Sequence, residues 1–176
     1  MLALALAIVV AVADQWSKEW VRASLGLHEI RPVLEGFFNL TYVRNTGAAW
    51  GMFGGGNSWL IVFSAVMLVV MVVFRRSFLR DTLSHRVALG LLAGGILGNL
   101  FDRVRLGYVT DFLDFRFGSY AFPSFNVADA GISVGVAIYI ASSFVAELRS
   151  GRERRAAARG MPREASSDDA GSIAGR

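Results

Sequence analysis

The chain has 176 residues, 54% of them hydrophobic and 18% charged, with a mean hydropathy of +0.47. Typical soluble domains carry about 25% charged residues, so composition excludes an ordinary soluble enzyme and points to one membrane domain. The formal net charge of +4 is no nucleic-acid signal, because the arginines bunch in RRSFLRDTLSHR (75–86) and LRSGRERRAAAR (148–159), each just after an apolar run. There is no cysteine, and only two histidines, His28 and His85. That leaves no disulfide framework, thiol nucleophile, serine–histidine pair or metal-binding spacing, and neither a metal nor a cofactor is expected.

The first apolar run, MLALALAIVVAVA (1–13), continues as a helix through DQWSKEWVRASL. It has the small residues of a signal-peptide cleavage site but no basic leading region, and three more apolar runs follow, so it is read as a span. Next, FFNLTYVRN (37–45) is aromatic and β-branched, which suits a strand, and Asn45-Thr46-Gly47 is a turn signal. Gly54–Gly56 give slack before the second run, WLIVFSAVMLVVMVVF (59–74). The third is VALGLLAGGILGNLF (87–101), and the fourth runs from about Val127 to Ala146. A span needs about 20 residues, so flanking residues complete the predicted spans 1–22, 57–75, 86–103 and 127–147.

The expected fold class is therefore an all-α polytopic membrane protein with four transmembrane helices and a small extracytoplasmic β-element. Phe37, Phe38, Tyr42, Trp50, Phe53 and Trp59 suit interfacial anchors. Arg75, Arg76, Arg80, Arg86 and the basic tail place both chain ends in the cytoplasm and loops 22–58 and 102–126 outside. Residues 151–176 have almost no large apolar side chains and are expected to be a disordered cytoplasmic tail on a domain spanning 1–150.

Every outer segment contributes polar groups to one membrane depth: Asp14 and Lys18, Asn45, Asn99 and Arg103, Asp102, Asp111, Asp114, Asn126 and Asp129. Several have ordinary structural uses. Asp14 and Lys18 make an i,i+4 pair, Asn126 caps the last helix, and Asn45 makes a turn. Asp102, beside Arg103 and Arg105, reads as a solvated ion pair, and Asp114 as part of an exposed loop. Asp129 resists such a reading, since it lies inside an apolar run where a charge costs a few kcal/mol and no basic residue is near it in sequence. Two carboxylates held close, here Asp111 and Asp129, share a proton, so one can act as general base on a water and the other as general acid. Aspartate pairs also serve proton transport, but no inverted repeat is visible and the second run has no acidic residue. A non-catalytic four-span scaffold is a third alternative.

At these residues the sequence resembles lipoprotein signal peptidase, or signal peptidase II, a family of bacterial membrane aspartyl proteases. The resemblance rests on DQWSK (14–18), VRNTGAAWGMF (43–53), GGILGNLFDRVRLGYVTDFLDF (94–115) and FPSFNVADAGI (122–132), in the family's order. It implies a catalytic dyad of Asp111 and Asp129, supported by Asn99, Arg103 and Asn126, with Asp14, Lys18 and Asn45 near the substrate path. Gly95 and Gly98 would let helix backbones approach closely. The implied substrate is a prolipoprotein carrying a diacylglyceryl-modified cysteine, cleaved on that cysteine's N-terminal side at the outer surface of the inner membrane. The expected partners are this substrate and membrane lipids, without nucleic acid and without a second copy of the chain.

Overall fold

The computed structural model describes residues 1–47, 57–74 and 82–160, with 153–160 as backbone only. Its elements in chain order are α1 (Leu2–Ser24), β1 (Ile30–Leu34), β2 (Phe38–Asn45), α2 (Asn57–Val73), α3 (Leu83–Leu106), β3 (Val109–Phe117), β4 (Tyr120–Ala121) and α4 (Val127–Gly160). Residues 1–142 form one compact unit. In the second, 143–176, the described part is the end of α4. Arg75, Arg76, Arg80, Trp50, Phe53, Gly54–Gly56 and residues 161–176 lie outside the described residues.

The four apolar runs all became helices, but α4 continues through Gly160, into the segment expected to be disordered. Arginine, glutamate and alanine, which fill RERRAAAR, are strong helix formers, and extending an existing helix avoids the cost of nucleation. Leu83–Leu106 and Val127–Arg152 are long and apolar enough to cross a membrane by length and composition, while α2 is apolar but has 17 residues. In α1 the second half carries Asp14, Lys18, Glu19 and Arg22.

Burial is inverted relative to a water-soluble protein. The largest fully buried side chains include Lys18, Asn126, Thr110, Asp14 and Asp102. Conversely, Ile8, Val12 and Trp16 of α1, Val62, Phe63 and Val66 of α2, and Val134 and Ile140 of α4 are exposed. Apolar patches on this scale mark contact with something other than water.

Small residues set how closely the helices approach. Gly90, Gly94 and Gly98 line the face of α3 against α1: a Cβ at Gly94 would lie 2.6 Å from the Ala7 carbonyl oxygen, and one at Gly98 2.5 Å from Asp14 Oδ2. Gly95, on the adjoining face, meets the Ala128 carbonyl oxygen and Ile132 of α4. At the end of α3, Gly107 adopts φ 80°, the left-handed conformation that stops a helix, and its N–H donates back to the Arg103 carbonyl oxygen. The chain can then enter β3 two residues later.

The molecule is helix-rich rather than all-α, because the expected β-element is one strand of four. The antiparallel sheet has the order β1-β2-β3-β4, and the strand expected at 37–45 is β2. The region 102–126, expected as a loop, holds the end of α3 and both β3 and β4. Its strand signal is weak because Val109 to Phe112 are all buried. A strand covered on both faces loses the alternation that marks a half-exposed one. Val21 and Leu25 of α1, Tyr42 of β2 and Phe112 of β3 make the core that joins helix to sheet.

Candidate active site

Asp14 and Lys18 lie one turn apart on α1, and their side chains meet at 2.7 Å with no exposure. A buried pair is tolerated only where its remaining polar atoms are satisfied, and these are. Lys18 Nζ also donates to Asn99 Oδ1 at 2.8 Å and lies 3.4 Å from Asp102 Oδ2. Asp14 Oδ1 accepts the Ala128 N–H at 2.8 Å, which ties α1 to the first turn of α4. Gln15 Nε2 reaches both Asp14 and Asp102 at 3.2 Å.

Asp102 is not the solvated ion pair its sequence neighbours indicated. It is fully buried and accepts the Thr110 N–H of β3 at 3.0 Å, with Arg22 at 3.6 Å. Arg103, the adjacent helix residue, does not face it, and Arg105, three residues on, pairs with Glu19 of α1 instead. Asp114 is also buried, not part of an exposed loop. It sits opposite Asn39 in the β2–β3 register and accepts Asn39 Nδ2 at 2.8 Å and Arg116 Nε at 3.0 Å.

Asp111 and Asp129 arrive from different elements. Asp111 is on β3, opposite Val43 of β2. Asp129 is in the first turn of α4. What brings them together is a short antiparallel bridge between Leu113 and Phe125, with the Phe112 and Leu113 N–H groups donating to the Phe125 carbonyl oxygen at 3.0 and 2.8 Å. The residue after Phe125 is Asn126, so the bridge delivers the start of α4 beside Asp111.

Three asparagines then aim their amide nitrogens at the two carboxylates, and in each the carbonyl oxygen is already committed. Asn126 Oδ1 accepts the Asp129 N–H at 3.0 Å, as a helix cap, so its Nδ2 is left for Asp111 Oδ1 at 2.7 Å. Asn45 Oδ1 accepts the Gly47 N–H, which makes the turn, and its Nδ2 donates to Asp111 Oδ2 at 2.9 Å. Asn99 Oδ1 accepts from Lys18, and its Nδ2 donates to Asp129 Oδ1 at 2.7 Å. The cap and the turn expected at Asn126 and Asn45 are therefore real, and each residue also holds a carboxylate.

The two aspartates line one cleft of about 490 Å³, with Asn45, Asn99, Arg103, Phe122, Phe125 and Ile132 among its walls. Burial, and next to it the facing charge of Asp129, push the Asp111 carboxyl up to about 7, against the donors Asn45 and Asn126. Arg103 donates to the carbonyl oxygens of Asn99 and Gly47 at 3.5 and 3.3 Å, and its buried Nε has no partner among the described residues. A smaller cleft of about 290 Å³, lined by Val43, Arg44, Asn45, Thr46 and Ser124, also reaches Asp111.

A sequence model of the family described as Signal peptidase (SPase) II matches residues 6–145. The chain belongs to the signal peptidase II family. It is an aspartyl peptidase of that type. It is similar to the lipoprotein signal peptidase of Symbiobacterium thermophilum, at 44% identity over 78% of this chain and 91% of that one. It is also similar to that of Shewanella halifaxensis, at 45% identity over 78% and 83%. Among solved structures, a bacterial membrane enzyme determined by the in meso method superposes with a TM-score of 0.73 at 34% identity, covering 81% of this chain and 87% of that one. This signal peptidase II chain is thus an integral membrane protein by family and by fold.

Asp14, Lys18, Asn45, Asn99, Arg103, Asp111, Asn126 and Asp129 all meet at this one end of the helices, and Gly95 packs directly behind Ala128. Sequence reasoning missed Gln15, Arg22 and Thr110, which complete the buried charge cluster; Arg22 Nη1 donates to Thr110 Oγ1 at 2.7 Å. Arg22 follows Lys18 at i+4, and that spacing was the available signal.

Proposed function

We propose that this chain is an endopeptidase that removes signal peptides from diacylglyceryl-modified prolipoproteins, cutting on the N-terminal side of the lipid-bearing cysteine. The observation that carries the mechanism is the pair of buried carboxylates, Asp111 and Asp129, sharing one cleft under converging asparagine amides. In this reading the ionised member takes a proton from a water, whose oxygen attacks the scissile carbonyl carbon. The protonated member gives its proton to the carbonyl oxygen. The C–N bond then breaks as the carboxyl that took the water's proton gives it to the cysteine's leaving amine, while the other carboxylate takes a hydroxyl proton from the collapsing diol, and the pair again holds one shared proton. Asn45, Asn99 and Asn126 hold the two carboxylates in place. Asp14 and Lys18 orient Asn99 and the start of α4, and Arg103 offers a guanidinium to the reacting carbonyl. Gly95 keeps α3 close enough to α4 for the cleft to form.

The exposed apolar faces of α1, α2 and α4 support four spans of the bacterial cytoplasmic membrane, with both ends cytoplasmic and the dyad near the outer surface. A substrate that is a membrane helix followed by a lipid-bearing residue presents its scissile bond at that depth. One chain carries the whole site, so the peptidase works as a monomer among membrane lipids.

The test is cleavage of a diacylglyceryl-modified preprolipoprotein, followed by gel shift. Asp111→Asn and Asp129→Asn should each lose activity by at least about 100-fold while folding normally. Glu35→Gln, an exposed carboxylate remote from the cleft, should cleave like the unaltered enzyme. Substantial activity in either dyad variant sinks the two-aspartate mechanism; inactivity of the unaltered enzyme on a confirmed lipidated substrate sinks the function.

A further inference from the structure

Arg44 has no place in the chemistry above, yet its side chain is held with care. It lies on β2 between Val43 and Asn45, opposite Thr110 of β3, and is exposed. Its Nε donates to the Tyr42 hydroxyl at 3.0 Å. Its guanidinium carbon lies 4.9 Å from the centroid of the Tyr108 ring and 5.6 Å from that of Tyr42. The two phenol oxygens are themselves 3.0 Å apart, so both rings are braced. Arg31, Arg105 and Arg116 each pair with a carboxylate. Arg44 pairs with no carboxylate among the described residues, and its partners there are the two phenols, Tyr42 and Tyr108.

Arg44 is among the residues that line the smaller cleft, whose other walls include Asn45, Thr46, Asp111 and Ser124. The larger cleft, reaching the same Asp111, is walled by Val109, Phe122, Phe125, Ile132 and Val134. Polar groups, Arg44 among them, make up more of the smaller cleft's wall than of the larger one's, which joins an apolar surface to Asn45, Asn99, Arg103 and the two aspartates; Asp111 stands where the clefts meet. A prolipoprotein changes character in the same way about its scissile bond, apolar before it and polar after the lipid-bearing residue.

We infer that the smaller cleft is a subsite for the polypeptide that follows the lipid-bearing cysteine, and that Arg44 selects chains carrying a carboxylate there. The inference rests on the proposed function. A guanidinium fork matches a carboxylate with two parallel hydrogen bonds, and its stacking on two rings removes much of the ordering cost of binding. Because Arg44 is exposed, the selection should be modest, roughly five-fold, and should fade as salt rises.

Two lipidated substrates differing only in aspartate or asparagine at the second residue after the cysteine would be cleaved in competition, so that the product ratio reports relative kcat/KM. The unaltered enzyme should favour the aspartate substrate roughly five-fold at low salt, with the ratio approaching one at high salt. Arg44→Gln should bring the ratio to one at any salt, and Arg44→Lys should fall between. A ratio of one in the unaltered enzyme, or a preference that survives Arg44→Gln, overturns the subsite. Running the assay with and without an anionic phospholipid adds a further arm. If Arg44→Gln slows both substrates equally, and only with that lipid present, the arginine serves a headgroup and the inference is wrong. Cleavage without discrimination removes only this subsite, whereas no cleavage of either substrate removes the proposed function with it.

Discussion

Lys18 is the residue on which the buried cluster balances. It faces Asp14 and Asp102 and holds the oxygen of Asn99. Lys18→Met would leave two buried carboxylates without their cation, and removing one partner of a buried pair costs about 3–5 kcal/mol. Thermal unfolding in detergent should show a large drop, partly recovered when Asp102→Asn is added; an unchanged unfolding temperature would mean the cluster contributes no net stability. Asp111 sets the pH behaviour. Its carboxyl moves from 3.8 to about 7 in the folded chain, so ionising it in place costs roughly 4 kcal/mol more than in water. The folded chain keeps a proton that the unfolded chain has lost, so stability falls as pH rises through that window. Asp111→Asn should flatten the fall in unfolding temperature between about pH 4 and pH 7. For activity, kcat/KM should decline on the alkaline side with an apparent pKa near 7, as the shared proton leaves the pair. A profile flat through neutrality would speak against a proton shared at Asp111. That Asp129 faces a special environment was legible from sequence, since it had no local partner, and it lines one cleft with Asp111. Asp102 was misread because its real partners, Lys18 and Arg22, lie on another helix and are invisible to a local reading.

Among the elements, helices were the easier to find, because apolar runs mark them whatever their neighbours. β2 was found from its aromatic and β-branched composition. β3 was not, although it carries Asp111, because its buried polar residues are held by partners rather than by solvent. That strand holds Asp111 from both sides: Thr110 is pinned by Asp102, and Leu113 by Phe125. Between helices the controlling contacts are glycines. Gly94→Ala would force a methyl group against the Ala7 carbonyl oxygen and Val10, and overpacking of this kind costs typically about 1–3 kcal/mol. Gly98→Ala would instead press on Asp14, so it should lose activity out of proportion to stability. Comparing unfolding temperature with turnover for the two variants checks this. Equal effects from both would show that Asp14's position does not reach the dyad.

For the molecule as a whole, the inside-out distribution of polarity predicts where it sits in a bilayer. Trp16 and Trp20 are 73% and 46% exposed on α1, just beyond Asp14. Their fluorescence should be quenched more by lipids brominated near the headgroups than by lipids brominated near the chain ends, and replacing both with phenylalanine should abolish most of the difference. Quenching that is deepest with the terminal label would place the dyad too far inside for a lipid-anchored scissile bond. Composition alone implied a membrane domain. What it could not supply was the pairing of distant segments, and one such pairing has a consequence in time. The bond from the Ala128 N–H to Asp14 spans 114 residues. A ribosome therefore delivers Asp14, Lys18 and Asn99 to the membrane well before the segment that caps them and brings the second carboxylate. On the proposed two-aspartate mechanism an unfinished copy is inert, and proteolysis begins only when the final helix has been inserted.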